Sequence, residues 1–420
     1  FTETKLQDQQ FGITQMKFNE SGDQLAFLST SDTNELKNYS LYLSSLSTNT
    51  AELVVDSTKV GMLAGWTVSQ FGQVYFSEDG SKLYFGTNKI VKQVPEDTLL
   101  DSEKATVDIW GSNDLRIQPV QLIEVGNDEK NSFLAVYHIE KRSFVQLSND
   151  EAESVRLSNH GNSNFALGID ETPYLREATW EYPWKSNYYL IDVNSGEHKI
   201  LKTGLGFTAT LSPSGKHFVY YNGADSSWYS ISTETGVEIN MSGNLPASFA
   251  ADNNGTPALA DDNGYNGWAK ISDEEFIIVN ATNDIWLLHP TDFENSFCPT
   301  EKKGTQDKIK FSYYRMDYDS TYSTLNNNLI IGVDDVTKAE TIYEITSALG
   351  INPLLRTDHR ISLISKAEES DRVILRRMSF TEYPDLEKTN LKFENPTKFT
   401  DINPQQNEYN WATVEMVSWK

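Results

Sequence analysis

Cysteine is almost absent. Cys298 stands alone among 420 residues, so no internal disulfide can form and no cysteine-based zinc site can be assembled. Either the compartment is reducing or the fold needs no covalent staple. Positive charge is also scarce: 35 Lys and Arg against 60 Asp and Glu leave a formal charge of −25. A field of that sign repels phosphate backbones and anionic lipid, which argues against nucleic acid as a partner. It attracts cationic groups such as a peptide amine. No apolar run approaches the ~20 residues of a membrane-spanning helix, so no membrane insertion is expected. The chain opens on Phe1 rather than Met. Nothing at its start reads as a signal peptide, so a targeting segment is expected to have been removed or to lie upstream.

Chemical motifs are missing too. Gly-x-Ser-x-Gly does not occur; Gly161-Asn-Ser-Asn-Phe165 lacks the second glycine and sits in a hairpin pattern, without the strand–turn–helix setting of a nucleophile elbow. His138, His160, His198, His217, His289 and His359 form no His-x-x-x-His or His-Glu-x-x-His pair. His138 and His217 lie in strand patterns and read as core or edge residues. Asp252-Asn-Asn-Gly255 and Asp261-Asp-Asn-Gly264 are acidic turns whose spacing does not match a calcium loop. No catalytic residue, metal or cofactor is therefore assigned.

What the chain has in quantity is aromatic residues, 12% of the total, which favour strands. These fall into a recurring grammar of strand, polar turn, strand, third strand, turn, fourth strand. Phe207-Thr-Ala-Thr-Leu-Ser-Pro-Ser-Gly215, His217-Phe-Val-Tyr-Tyr221, Trp228-Tyr-Ser-Ile231 and Val237-Glu-Ile239 show it most clearly. Ser, Asp and Asn bond their own backbone and Gly accepts positive φ, so tight hairpins close between the strands. Ser77-Glu-Asp-Gly80 before Lys82-Leu-Tyr-Phe85 repeats the pattern, with Val107-Asp-Ile-Trp110 as a later strand of that unit. Val336-Thr-Lys-Ala-Glu-Thr-Ile-Tyr-Glu-Ile345 has helix-like spacing, yet the repeat places a turn and then a strand over 340–345.

The expected fold is all-β, a β-propeller of about seven, or eight, four-stranded antiparallel blades without helices. The blades are placed at about 11–56, 68–150, 153–203, 206–243, 265–300, 308–356 and 359–402 within a propeller spanning 1–405, followed by a lead-out strand in 406–420. The excess length falls in loops at about 88–105, 124–132, 171–186 and 244–266.

One connection is unusual. Tyr174-Leu-Arg-Glu-Ala-Thr-Trp-Glu-Tyr-Pro-Trp184 crowds four large aromatics beside three charges. It reads either as a loop pinned by aromatic packing or as a substrate-facing lip in which Arg176, Glu177, Trp180, Glu181 and Trp184 meet a peptide. Glu382, close in sequence to Arg376 and Arg377, raises the same choice; the plainer reading is a buried Arg–Glu pair joining blades.

Val107-Asp-Ile-Trp110, Leu134-Ala-Val-Tyr-His138, Phe144-Val-Gln-Leu147, Tyr188-Tyr-Leu-Ile-Asp192, Asn283-Asp-Ile-Trp286, Ser379-Phe-Thr-Glu-Tyr-Pro-Asp385 and Asp401-Ile-Asn-Pro-Gln-Gln406 through Tyr409-Asn-Trp411 carry a likeness in this order. Together they resemble the propeller of bacterial, Bacteroidetes-like serine peptidases of the prolyl oligopeptidase family, of the dipeptidyl-peptidase-like and acylaminoacyl-peptidase-like kinds. The resemblance implies a propeller that gates and docks short peptides for a C-terminal α/β-hydrolase domain of the same polypeptide, with the catalytic triad in that domain. It implies a parent serine peptidase, an inactive isolated chain and a periplasmic or secreted setting, though a cytoplasmic one also fits the lone cysteine. Thr413-Val-Glu-Met-Val-Ser-Trp419 looks like the strand leading into the hydrolase, and Ala412 stands where the family has a glycine. A Glu pair binds the substrate amine in dipeptidyl peptidases; Glu177 lies in a similar neighbourhood without a second Glu beside it. Two other readings stay open: a free-standing propeller that binds proteins or glycans, and a propeller lyase or glycosidase with a channel metal.

Overall fold

In the computed structural model, the residues described are 12–33, 37–45, 47, 50–90, 100, 103–104, 107–317, 319–346, 350–415, 417 and 419. The chain is all-β, a β-propeller fold of antiparallel sheets in which strands adjacent in sequence are adjacent in space, save that Trp66–Val68 and Tyr75–Phe76 both pair Lys82–Lys89. That meander is what short alternating strands joined by tight polar turns must form. At Asn19, for example, the side chain accepts from Gln24 N at 3.0 Å while Gly22 takes a positive φ of 71°, a conformation open to glycine because it lacks Cβ.

The contacts divide the chain into two compact units, 1–220 with 231–238, and 221–230 with 239–420. The first unit contains the sheet Gly12–Phe18, Gln24–Thr30, Ser40–Ser45, Thr50–Val55. Next comes a five-stranded sheet in which Lys82–Lys89 pairs Phe133–His138. The sheet Ser154–Leu157, Phe165–Asp170, Ser186–Asp192, His198–Leu205 follows. Tyr84, Val136, Ala166 and Ile191 are fully buried and pack these last two sheets together. Tyr84 also donates its hydroxyl to Gly161 O at 2.7 Å, so the Gly161–Phe165 segment braces a hairpin. His138 is buried, Nε2 against Val193 O at 3.1 Å, and burial lowers its pKa.

The unit division runs through the sheet Ala209–Leu211, His217–Asn222, Ser227–Ser232, Glu238–Asn240. The second unit holds two further four-stranded sheets, beginning at Ile309–Tyr314 and Arg360–Lys366. Its core is built from Ile278, Leu287, Phe311, Ile330 and their neighbours. Glu340–Ile345 is a strand, as the repeat predicted over its helix-like spacing. Pairing with Leu329–Asp334 on one side and Ile351–Thr357 on the other settles the choice.

Three expectations are corrected. The fold has helices among its described residues: Gln118–Asp128 and the short Lys303–Asp307. Pro119 in the first turn starts the longer one, where its missing N–H costs nothing, and the helix takes in part of the stretch expected as a 124–132 loop. Val107 to Trp110 is not a strand; these residues are exposed and Phe133–His138 occupies the place beside Lys82–Lys89. The sheet Tyr265–Ile271, Glu274–Asn280, Ile285–Leu288 has three strands rather than four. Phe297 makes a single two-bond bridge to Leu287, at 2.9 and 3.0 Å. Pro299, which has no N–H, then prevents the ladder from extending. Residues 411–415 carry no strand, and 416, 418 and 420 lie outside the described residues. Among the described residues no helix is long and apolar enough to cross a membrane.

Candidate functional site

Two insertions in the first unit leave neighbouring sheets between their second and third long strands. One joins Lys82–Lys89 to Phe133–His138 and carries the helix Gln118–Asp128; the other, residues 171–185, joins Phe165–Asp170 to Ser186–Asp192. Hydrogen bonds hold the described residues of both. Arg116 holds Asp128 with two nitrogens, at 3.1 and 2.6 Å. Arg176 Nη2 donates to Ser112 O at 2.8 Å, tying the insertions together. Tyr174 donates its hydroxyl to Asn187 Oδ1 at 2.8 Å, anchoring the second insertion to its strand. Its far end passes through a cis Tyr182–Pro183 bond and packs on Gly206, where a Cβ would lie 2.3 Å from Pro183 Cγ.

Between the insertions lie two cavities. The larger, about 780 Å³, is walled by Asp114, Arg116, Asp128, Glu153, Asp170 and Glu171 with the apolar Val125, Ile169 and Leu175 among them. The smaller, about 330 Å³, is mainly apolar, walled by Ile117, Val120, Tyr174, Leu175, Ala178 and Trp184. Arg116, Glu171 and Leu175 line both, so the cavities share a wall. Partial desolvation, with Asp150 and Asp170 close by, pushes the exposed Glu153 carboxyl above its ordinary range. Asp170 is buried and accepts from Thr172 N at 2.9 Å.

The residues singled out in sequence separate. Trp184 lines the smaller cavity and donates its indole N–H to Ala178 O at 3.1 Å. Arg176 is a brace between insertions. Glu177 and Glu181 pair with Lys185, at 3.2 and 3.7 Å, so Glu177 already holds a cation. Trp180 is 69% exposed and lines neither cavity. Glu382 belongs to the second unit, in a small polar cleft with Arg377, Asp385, Lys398 and Gln406. His359 Nε2 at 3.2 Å, then Arg377 at 3.6 Å, hold the Glu382 carboxyl below its ordinary range. The expected buried, blade-joining pair is not there: Glu382 is half exposed, and Arg377 also reaches Glu387 of its own sheet at 3.3 Å. Arg376 donates to Ser362 in that sheet at 3.0 Å.

Sequence reading missed Arg116, Glu153, Asp170, Glu171 and the helix. The signal available was Pro119 followed by Val120 and Ile123 at helical spacing; nothing in sequence marked the carboxylates. The acidic turns satisfy themselves, with Asp252 accepting from Asn254 N at 2.9 Å and Asp262 from Gly264 N at 3.0 Å. Among the described residues no cluster of three or more His, Cys, Asp or Glu is arranged to hold a metal.

No family model and no curated protein matches the chain. Among solved structures, it is similar to one from a study of two prolyl endopeptidases and the role of inter-domain dynamics in catalysis (10% identity, TM-score 0.40, covering 93% of this chain and 50% of that one). It is similar to Porphyromonas gingivalis dipeptidyl peptidase 4 (9%, TM-score 0.45, 94% and 53%). It is also similar to the β-propeller domain of the Trilobed protease from Pyrococcus furiosus (11%, TM-score 0.32, 93% and 98%). The chain spans about half the length of the first two. The narrower Bacteroidetes-like placement finds no support in these matches.

Proposed function

We propose that this chain is the non-catalytic propeller of a prolyl-oligopeptidase-type serine peptidase, which gates and docks short peptides for a hydrolase domain outside these 420 residues. The observation that carries the docking reading is the pair of adjoining cavities between two braced insertions. Cavities of this size, mixing apolar walls with a few polar groups, are where small ligands bind. A recess fits a flexible peptide and not a folded surface, so folded proteins are excluded while a short substrate is held in a set orientation.

Calorimetric titration of the purified chain with short peptides tests this. Binding in the micromolar to ~1 mM range is expected, with no hydrolysis of aminoacyl or peptidyl chromogenic substrates. Turnover that co-purifies with the chain would overturn the non-catalytic reading; failure of every short peptide to bind would overturn docking.

A further inference from the structure

The docking reading says that a peptide binds; the two cavities also specify its chemistry. Apart from Glu171 on the shared wall, the polar groups around the smaller one are already committed. Arg116 is held by Asp128, Lys185 by Glu177 and Glu181, the Tyr174 hydroxyl by Asn187, and the Trp184 indole by Ala178 O. An apolar group is what such walls can accommodate, because a polar one would enter without partners. About 330 Å³ suits one large side chain rather than a whole peptide.

The larger cavity is the opposite. Among the described residues its one cation, Arg116, is taken up by Asp128. Among the described residues neither Glu153 nor Glu171 has a salt-bridge partner. A cationic ligand group would offset their repulsion. The chain's net charge of −25 steers such a ligand in and repels a second copy of the chain.

Resting on the docking reading, we propose that the occupant is a peptide carrying a large apolar side chain and, one or two positions away, a lysine or arginine. The apolar side chain enters the cavity walled by Val120, Leu175, Ala178 and Trp184; the basic one lies over Glu153 and Glu171. Because Glu171 and Leu175 line both cavities, side chains close together in one short peptide reach both.

The test uses fluorescence anisotropy with labelled peptides, N-acetylated and C-amidated so that no terminal charge contributes. Four peptides in a Gly-Ser background carry a Phe-Lys, Phe-Glu, Ala-Lys or Ala-Glu pair. Phe-Lys binds tightest. Replacing Lys by Glu weakens binding about tenfold, a loss that shrinks at high salt, and replacing Phe by Ala weakens it about tenfold or more. In the chain, Glu153→Gln reduces the preference for Lys and keeps that for Phe. Ala178→Trp, which fills the apolar cavity, abolishes the preference for Phe and keeps that for Lys. Equal binding of all four peptides overturns this specificity while leaving docking intact. Binding of none overturns both.

Discussion

The guanidinium of Arg116 clasps the carboxylate of Asp128 end-on, Nη1 to Oδ1 at 3.1 Å and Nη2 to Oδ2 at 2.6 Å. Arg116 lies just before the helix Gln118–Asp128 and Asp128 is its last residue, so the clasp closes its start onto its end and sets one wall of the larger cavity. The partnership raises the Arg116 pKa and lowers that of Asp128. Both are partly exposed, so the effect is local rather than global. Asp128→Asn is expected to speed amide exchange over 118–128 about two- to five-fold. Exchange in Phe133–His138 should not change. Hydrogen–deuterium exchange read by mass spectrometry checks this, and unchanged exchange in the helix would show that the clasp does not hold it.

Asp284 is buried and accepts four hydrogen bonds: from Thr300 Oγ1 at 2.7 Å, Gly304 N at 2.9 Å, and Thr305 N and Oγ1 at 3.0 and 2.7 Å. It thereby caps the short helix Lys303–Asp307 from a neighbouring strand turn. Asp284→Ala strands these donors and should cost about 3 kcal/mol. Urea unfolding followed by tryptophan fluorescence measures it; a loss near zero would mean that water replaces the carboxylate.

Glu153 gives a signed pH dependence. Partial desolvation, then Asp150 and Asp170, raise its pKa above the ordinary 4.5 although the residue is exposed. The native chain therefore holds this proton more tightly than the unfolded chain does. The resulting stabilisation is complete below 4.5 and lost as pH rises through the native value. Glu153→Gln should raise the melting temperature near neutral pH, with the gap to the unaltered chain closing in acid. A gap that widens in acid would reverse the assignment.

Gly206 leaves no room for a side chain, since its Cβ would lie 2.3 Å from Pro183 Cγ. Gly206→Ala should displace the 171–185 insertion at a cost of about 1–3 kcal/mol. Peptide affinity should fall with it, because Trp184 adjoins that contact. Thermal melts and the anisotropy assay read the two effects separately; unaltered affinity would detach Trp184 from binding.

Much of the architecture was readable along the chain. Strands alternate with period two and turn residues bond their own backbone, both consequences of interactions between near neighbours. Hence the strand Glu340–Ile345 and the place of His138 in a strand were recoverable from the sequence alone. The helix Gln118–Asp128 was not, because the strand repeat on both sides outweighed one proline and a short apolar pattern.

The site lay further out of reach. Glu177 and Trp180 belong to a connection that reads from sequence either as a pinned loop or as a substrate-facing lip; the fold sets Lys185 against Glu177 and leaves Trp180 outside both cavities. Arg116, Glu153 and Glu171 are far apart in sequence and meet because two sheets sharing a core raise their insertions side by side. Local hydrogen bonding and side-chain alternation thus specify strands and turns from composition and order alone. Which charges are neutralised, and which walls enclose a cavity, depends on long-range packing that brings distant residues within a few ångströms.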